Sequence, residues 1–349
     1  MKKLWSERVR DLTPYVPGEQ PKGGLIKLNT NENPYPPSPK IEKAILEATA
    51  RLRLYPDPES VSLCSAIANR HKVSRDMVFV GNGSDEVLAL AFMAFFAGRG
   101  VIFPDITYSF YSVYSNLFDI HYKKVPLKQN FEIDAAAMKG EGAGVIFANP
   151  NAPTSLFLEL DAVADIAKAN SGAVVIVDEA YVEFGGRSAI ELIEKHTNIV
   201  VVRTLSKSHA LAGLRLGYAI AAPGLIEALI KVKNSFNSYP LDMLAQAAGE
   251  AAIKDEKYYG EIINKIIGTR ERLTASLREM GFAMPEPKAN FVFASKEGVD
   301  ASRLFAALRR SGILVRHFEG ERTFRHLRIT VGTEEQTDKL LAAINAELG

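Results

Sequence analysis

The chain holds a single cysteine, Cys64, so no internal disulfide can brace it, and a reducing cytoplasm is the expected setting. Cys64 sits among Val61, Leu63, Ala66 and Ile67, where a small apolar residue would stand. An excess of either charge is lacking as well. Lys+Arg number 42 against 41 Asp+Glu, a formal net charge of +1, so no global field draws in nucleic acid or an anionic membrane. Any anion must be held by a local group of residues. Long apolar runs are missing: the longest candidate, Val87 to Ala97, falls short of the roughly 20 residues a spanning helix needs and reads as a buried helix. The opening residues, Met1 to Arg8, are basic but lead into no apolar stretch, so no secretion signal is expected. The six histidines form no H-E-x-x-H motif and no Cys/His cluster, and no metal site is expected.

What is present suits a large enzyme. With 349 residues, 47% of them hydrophobic, the chain can bury the cores of two domains. Short β-branched or aromatic runs recur at Val78–Val80, Val101–Phe103, Val145–Phe147, Val174–Val177, Ile199–Val202 and Leu216–Ile220, with helical patterns such as Leu160–Ala169 between several of them. This alternation predicts an α/β fold, a mostly parallel sheet covered by helices, with ligands bound beyond the carboxyl ends of strands. After about Pro240 the pattern changes to long helical stretches, Leu241–Ala252 and Tyr258–Met280, followed by a smaller α+β unit with strands at Asn290–Ala294, Ile313–Arg316 and Leu327–Val331. The Pro/Asn-rich segment Leu28–Pro37 reads as an extended arm. The expected division is an N-terminal arm over 1–35 joining the small domain, a large domain over 36–240, and a connecting helix with the small domain over 241–349.

Two strand ends carry the chemistry. The run Ala173–Val177 ends in Asp178-Glu179-Ala180-Tyr181, and Ile199–Val202 leads into Thr204-Leu205-Ser206-Lys207. A neutral lysine amine can form a Schiff base with an aldehyde, and a carboxylate can keep the ring nitrogen of such a cofactor protonated. Lys207 and Asp178 are the candidates, with Tyr181 placed to donate to the phenolate oxygen. A lone loop lysine is usually only solvated, and a lone aspartate after a strand is often a cap. The ordered pair, with hydroxyls at Thr204 and Ser206 and a cation at Arg215, points instead to a pyridoxal 5'-phosphate pocket. Gly81-Asn82-Gly83-Ser84-Asp85 follows a strand and opens a helix, so its amides can meet a phosphate, although a plain strand-to-helix turn would look the same. Tyr108 could stack on a flat ring. Arg316 and Arg328 lie in or beside apolar strands, where a guanidinium needs an anion.

These residues identify a resemblance. Through Leu12–Tyr15, Leu28–Pro34, Leu54–Asp57, Asn149–Thr154, Asp178–Tyr181, Ser206-Lys207, Gly213–Arg215 and Leu327–Thr330, the chain resembles the fold-type-I pyridoxal-phosphate aminotransferases. Within them it looks like the histidinol-phosphate aminotransferases. The resemblance implies that Lys207 anchors the cofactor, Asp178 pairs with its ring nitrogen, Tyr181 bonds its ring oxygen and Tyr108 stacks on it. It sets Ser84, Asp85, Ser206, Arg215 and Thr204 around the phosphate, joined by Tyr55 from a partner subunit. It assigns Tyr15, also from the partner, with Arg316 and Arg328, to the substrate's anionic end. Asn151, or alternatively Asn149, would bond the ring oxygen; the asparagine often found immediately before proline is here Ala152. The implied reaction joins a small-molecule amino donor and keto acceptor, imidazole-acetol phosphate plus glutamate against histidinol phosphate plus 2-oxoglutarate, in a cytoplasmic homodimer with shared active sites. An aromatic amino-acid aminotransferase and a phosphoamino-acid decarboxylase are the alternatives. A cofactor-sensing regulator would need a basic helix-turn-helix segment that the sequence does not show.

Overall fold

A computed structural model describes residues 4–21 and 23–348; Met1–Lys3, the start of the segment read above as no secretion signal, lie outside the described residues, as do Lys22, within the expected arm, and Gly349, at the end of the expected small domain. The strands, in chain order, are β1 (Ile26–Lys27), β2 (Val78–Asn82), β3 (Val101–Pro104), β4 (Tyr122–Val125), β5 (Gly144–Ala148), β6 (Val175–Asp178), β7 (Ile199–Thr204), β8 (Leu216–Ala221), β9 (Phe291–Ala294), β10 (Ile313–Leu314), β11 (Arg316–His317) and β12 (Leu327–Thr330). Seven of them form one sheet in the order β2-β8-β7-β6-β5-β3-β4. Only β8 runs against its neighbours.

The β-branched runs form these strands because both faces are covered. Along β7, Ile199 and Val201 point into one core and Val200 and Val202 into the other, and all four are fully buried. The first core is closed by helices at Pro39–Thr49, Val61–His71, Leu160–Ala169 and Met243–Lys254, the second by those at Gly83–Ala91, Phe110–Phe118 and Pro223–Phe236. Val87, Leu88, Leu90 and Ala91 are buried as expected, and the helix starts earlier, at Gly83, before a π turn over Phe92–Phe96. Leu241, Ala248, Ala252 and Ile253 share the first core, so the packing of the large unit continues past Pro240.

A second unit carries the antiparallel sheet β11-β12-β9 and the parallel pair β1–β10, packed on helices Ala301–Arg310, Glu334–Leu348 and the end of Glu256–Glu279. Through β1, the early segment is hydrogen-bonded into this C-terminal unit. Among the described residues, no helix is long and apolar enough to cross a membrane.

Candidate active site

Ala148, Asp178 and Thr204, the last residues of β5, β6 and β7, all line one cavity of about 280 Å³ at the carboxyl edge of the sheet. A strand buried on both faces offers side chains to ligand only where it ends, which is why these positions carry function. Ser84 enters from the end of β2, Arg215 from the start of the antiparallel β8, and Arg316 and Arg328 from the small sheet. Lys207, Tyr108, Tyr181, Ser206 and Asp85 complete the wall predicted from sequence.

Lys207 Nζ donates to the Thr30 carbonyl at 2.9 Å and lies 6.0 Å from the centre of the Tyr181 ring. Burial, helped by the nearby Arg328 charge, lowers its pKa to about 8, so a neutral amine is accessible near neutral pH. Its backbone is pinned as well: Asn33 Nδ2 donates to the carbonyls of Lys207 and Ser208.

Asp178 is buried, and desolvation raises its carboxyl to about 6 even though the Tyr111 hydroxyl donates to it at 2.8 Å and the Ala180 N–H at 3.3 Å. Both oxygens are held, yet no cation pairs with them among the described residues. A protonated ring nitrogen suits that carboxylate. Glu179, one residue on, is spent differently: it pairs with Arg203 at 3.1 Å and accepts from Ser188 and the Ala189 N–H.

Where the helix at Gly83–Ala91 begins, main-chain N–H groups and hydroxyls gather beside Arg215 in an arrangement that could receive an anion. Gly83 has φ of +79°, and a Cβ there would come within 2.7 Å of the Arg215 guanidinium, so only glycine lets Arg215 lie over the start of the helix. Ser206 receives Arg215 at 3.4 Å, and its own N–H and hydroxyl meet Thr204 Oγ1 at 3.1 and 3.0 Å. The Asp85 carboxylate accepts from Arg215 at 2.8 Å and from the Tyr108 hydroxyl at 2.8 Å. It therefore offsets that cation, and the main-chain N–H is what Asp85 can offer an anion.

At the far end, Arg316 and Arg328 face each other directly in the β11–β12 register. Neither has a carboxylate partner among the described residues, and Arg328 Nε is buried without a hydrogen bond. The Phe318 ring lies near both, 5.9 Å from the Arg316 guanidinium and 5.6 Å from that of Arg328. Like charges opposed across a ladder destabilise a sheet, and an anion bound beside both would relieve that repulsion. Tyr15 stacks on Phe110 at 4.4 Å and lines the cavity of its own chain.

Three other candidates sit elsewhere. Asn151 does not line the cavity: its amide donates to the Ile106 carbonyl and Thr154, and its oxygen accepts from Thr107. Asn149 is likewise tied to both main-chain groups of Leu158, so these asparagines brace a loop whose cavity face is Ala152 and Pro153. Tyr55 is 81% exposed, outside the cavity, and stacks on Tyr239 at 4.8 Å.

The comparisons with known proteins match this geometry. The family model "Aminotransferase class I and II" matches residues 24–344. The chain belongs to that aminotransferase family. This aminotransferase is 52% identical to "Histidinol-phosphate aminotransferase 2" of Dechloromonas aromatica (strain RCB), with 100% of both chains covered. It is 51% identical to the histidinol-phosphate aminotransferase of Acinetobacter baumannii (strain AYE), covering 99% of this chain and 98% of that one. Among solved structures, the histidinol-phosphate aminotransferase from Sinorhizobium meliloti in complex with pyridoxal-5'-phosphate superposes with a TM-score of 0.87 at 26% identity, over 99% of this chain and 97% of that one.

Sequence reasoning missed Tyr111, Asn31 and Asn33. Tyr111 lies three positions after Tyr108, in the first turn of the helix Phe110–Phe118, and its closeness in sequence to Tyr108 was the available signal.

Proposed function

We propose that this aminotransferase exchanges an amino group between glutamate and imidazole-acetol phosphate, yielding 2-oxoglutarate and histidinol phosphate in histidine biosynthesis, with pyridoxal phosphate as cofactor. The observation that carries the substrate is the opposed pair Arg316 and Arg328, two cations without protein carboxylates that enter the cavity from the small sheet rather than from the elements that carry Ser84 and Arg215. A substrate with an anion at that end satisfies both. The names of the relatives near 50% identity support the same reading.

Pyridoxal phosphate, when bound, supplies an aldehyde carbon and a ring that withdraws electrons from the substrate's Cα. The chain does the rest. Lys207 Nζ would hold the cofactor and, once displaced by the donor's amine, would carry the proton from the substrate's Cα to the cofactor's aldehyde-derived carbon, acting first as general base and then as general acid. Asp178 keeps a proton on the ring nitrogen, steadied by the Tyr111 hydroxyl. Tyr181 donates to the ring oxygen, and Tyr108 stacks. Ser206, Arg215 and the main-chain N–H groups of Ser84 and Asp85 receive the phosphate ester, with Thr204 orienting Ser206. Tyr15, Arg316 and Arg328 hold the substrate's anionic end.

The working unit we propose is a cytoplasmic homodimer in which Tyr55 reaches the partner's phosphate cradle. Supporting this are the exposure of Tyr55 and of Phe236, 81% and 74%, on a surface that a second copy would cover. Mixed dimers of Lys207→Ala and Tyr55→Phe subunits should recover activity above either parent, and an active monomer in sedimentation would rule the shared site out. For the substrate, kcat/KM for histidinol phosphate should exceed that for phenylalanine and tyrosine. A clear preference for phenylalanine would overturn the assignment and leave the cofactor chemistry standing.

A further inference from the structure

Asn31 is buried in the left-handed conformation, φ 57°, which asparagine tolerates better than most residues. Its contacts settle which way its amide points. The Asn31 N–H donates to Thr330 Oγ1 at 3.0 Å, so that hydroxyl must direct its own proton elsewhere, and it donates to Asn31 Oδ1, also at 3.0 Å. The carbonyl oxygen of Asn31 accepts from Asn290 Nδ2 at 3.1 Å, which fixes the backbone too. With Oδ1 committed to Thr330, the NH2 group faces Tyr181 and donates to the phenol oxygen at 3.0 Å. The phenol oxygen has one proton to give, and it cannot give it back to an NH2 group.

We propose that Asn31 is a positioning residue: by donating to Tyr181, it turns the phenol's proton into the cavity and makes Tyr181 an obligate donor to the cofactor's ring oxygen. The proposal rests on the reading of Tyr181 given above and extends it. Burial pushes the Tyr181 phenol up, so the proton is present to be donated at working pH. Ala152 brings no donor to the cavity wall, and neither Asn149 nor Asn151 lines it, so none of these residues shares the task.

A bond donated to the ring oxygen weakens that oxygen's hold on the neighbouring proton and lowers the pH at which the bound cofactor changes colour. The test is the pH midpoint of cofactor absorbance in the loaded wild type and in Asn31→Asp, Thr330→Val, Tyr181→Phe and the double variant Asn31→Asp/Tyr181→Phe. Asn31→Asp keeps the shape but offers an acceptor, so Tyr181 turns its proton away from the cavity and the midpoint rises by about one pH unit, as in Tyr181→Phe. Thr330→Val adds no charge and frees the amide to flip, and should give a smaller rise in the same direction. A new carboxylate could also raise the midpoint by charge alone, and the double variant separates the two. A midpoint equal to that of Tyr181→Phe supports the proposal; the sum of the two single shifts overturns it. A wild-type midpoint in both Asn31→Asp and Thr330→Val, with Tyr181→Phe shifted, overturns the proposal alone. An unshifted Tyr181→Phe overturns it together with the reading of Tyr181.

Discussion

At the ring end of the cavity, Asp178 and Tyr181 are held by Tyr111, Ala180 and Asn31, whereas at the far end Arg316 and Arg328 stand opposed with no carboxylate between them. The first arrangement suits a cofactor that stays: its partners are oriented before it arrives, so little reorganisation remains at reaction. The second suits groups that come and go. A cation already paired with a protein carboxylate would have to break that pair at each turnover, and the loss would appear as weaker binding.

The comparison breaks most sharply at Lys207. Lys207→Ala removes both the covalent anchor and the proton carrier, and turnover should fall by at least about 10² to 10⁴, the range for one lost proton-transfer group. Normal turnover in that variant would sink the mechanism. At the other end, Arg328→Ala and Arg316→Ala should each raise KM for histidinol phosphate by about ten- to a hundredfold, since a charge-assisted bond contributes roughly 1.5–3 kcal/mol. Cofactor absorbance should be unaltered; loss of colour in either variant would place the arginine at the wrong end.

Stability sharpens the contrast further. The folded Asp178 carboxyl keeps its proton to about pH 6, while an unfolded one releases it near the ordinary 3.8, so the native state binds more protons between those values. Stability of the cofactor-free protein therefore falls as pH rises through that window, by about 3 kcal/mol from this group. Asp178→Asn should melt a few degrees above the cofactor-free wild type at pH 7 and level with it below pH 4, while losing activity. A variant less stable than wild type at pH 7 would contradict this. The smallest expected effect is at Arg322, in the segment joining β11 to β12. It donates to the carbonyls of Leu127 and Lys128 at 2.9 and 2.6 Å and approaches Asp105 at 3.8 Å, tying the substrate end to the large unit. Arg322→Ala should raise KM about three- to tenfold with the spectral midpoint unmoved. An unchanged KM would show that this tie does not steady Arg316 and Arg328.

The sheet was legible because β5, β6 and β7 are continuous apolar runs bounded by turn residues, and their last residues, Asp178 among them, carried the site. Strand β4 escaped because it lies at the edge of the sheet and keeps Lys123 and Lys124 exposed. The reversal of β8 was invisible: Leu216–Ala221 is buried throughout whichever way it runs. The site residues that escaped, Asn31 and Tyr111, act through another side chain, and a sequence displays residue types rather than the partners they turn toward. Tyr15, recognised as a site residue, lines the cavity of its own chain, a placement set by the path of the arm.

Asn31 meets Thr330 across 299 residues of chain, through β12, the last strand among the described residues. During synthesis, Asp178 and Lys207 leave the ribosome well before Thr330 is made. A nascent chain can therefore assemble much of the large sheet while the carbonyl that Lys207 will bond and the amide beside Tyr181 still lack their C-terminal supports. Commitment to the finished pocket belongs to the end of translation, and a chain stopped short of β12 would carry the reactive lysine without the parts that set its surroundings.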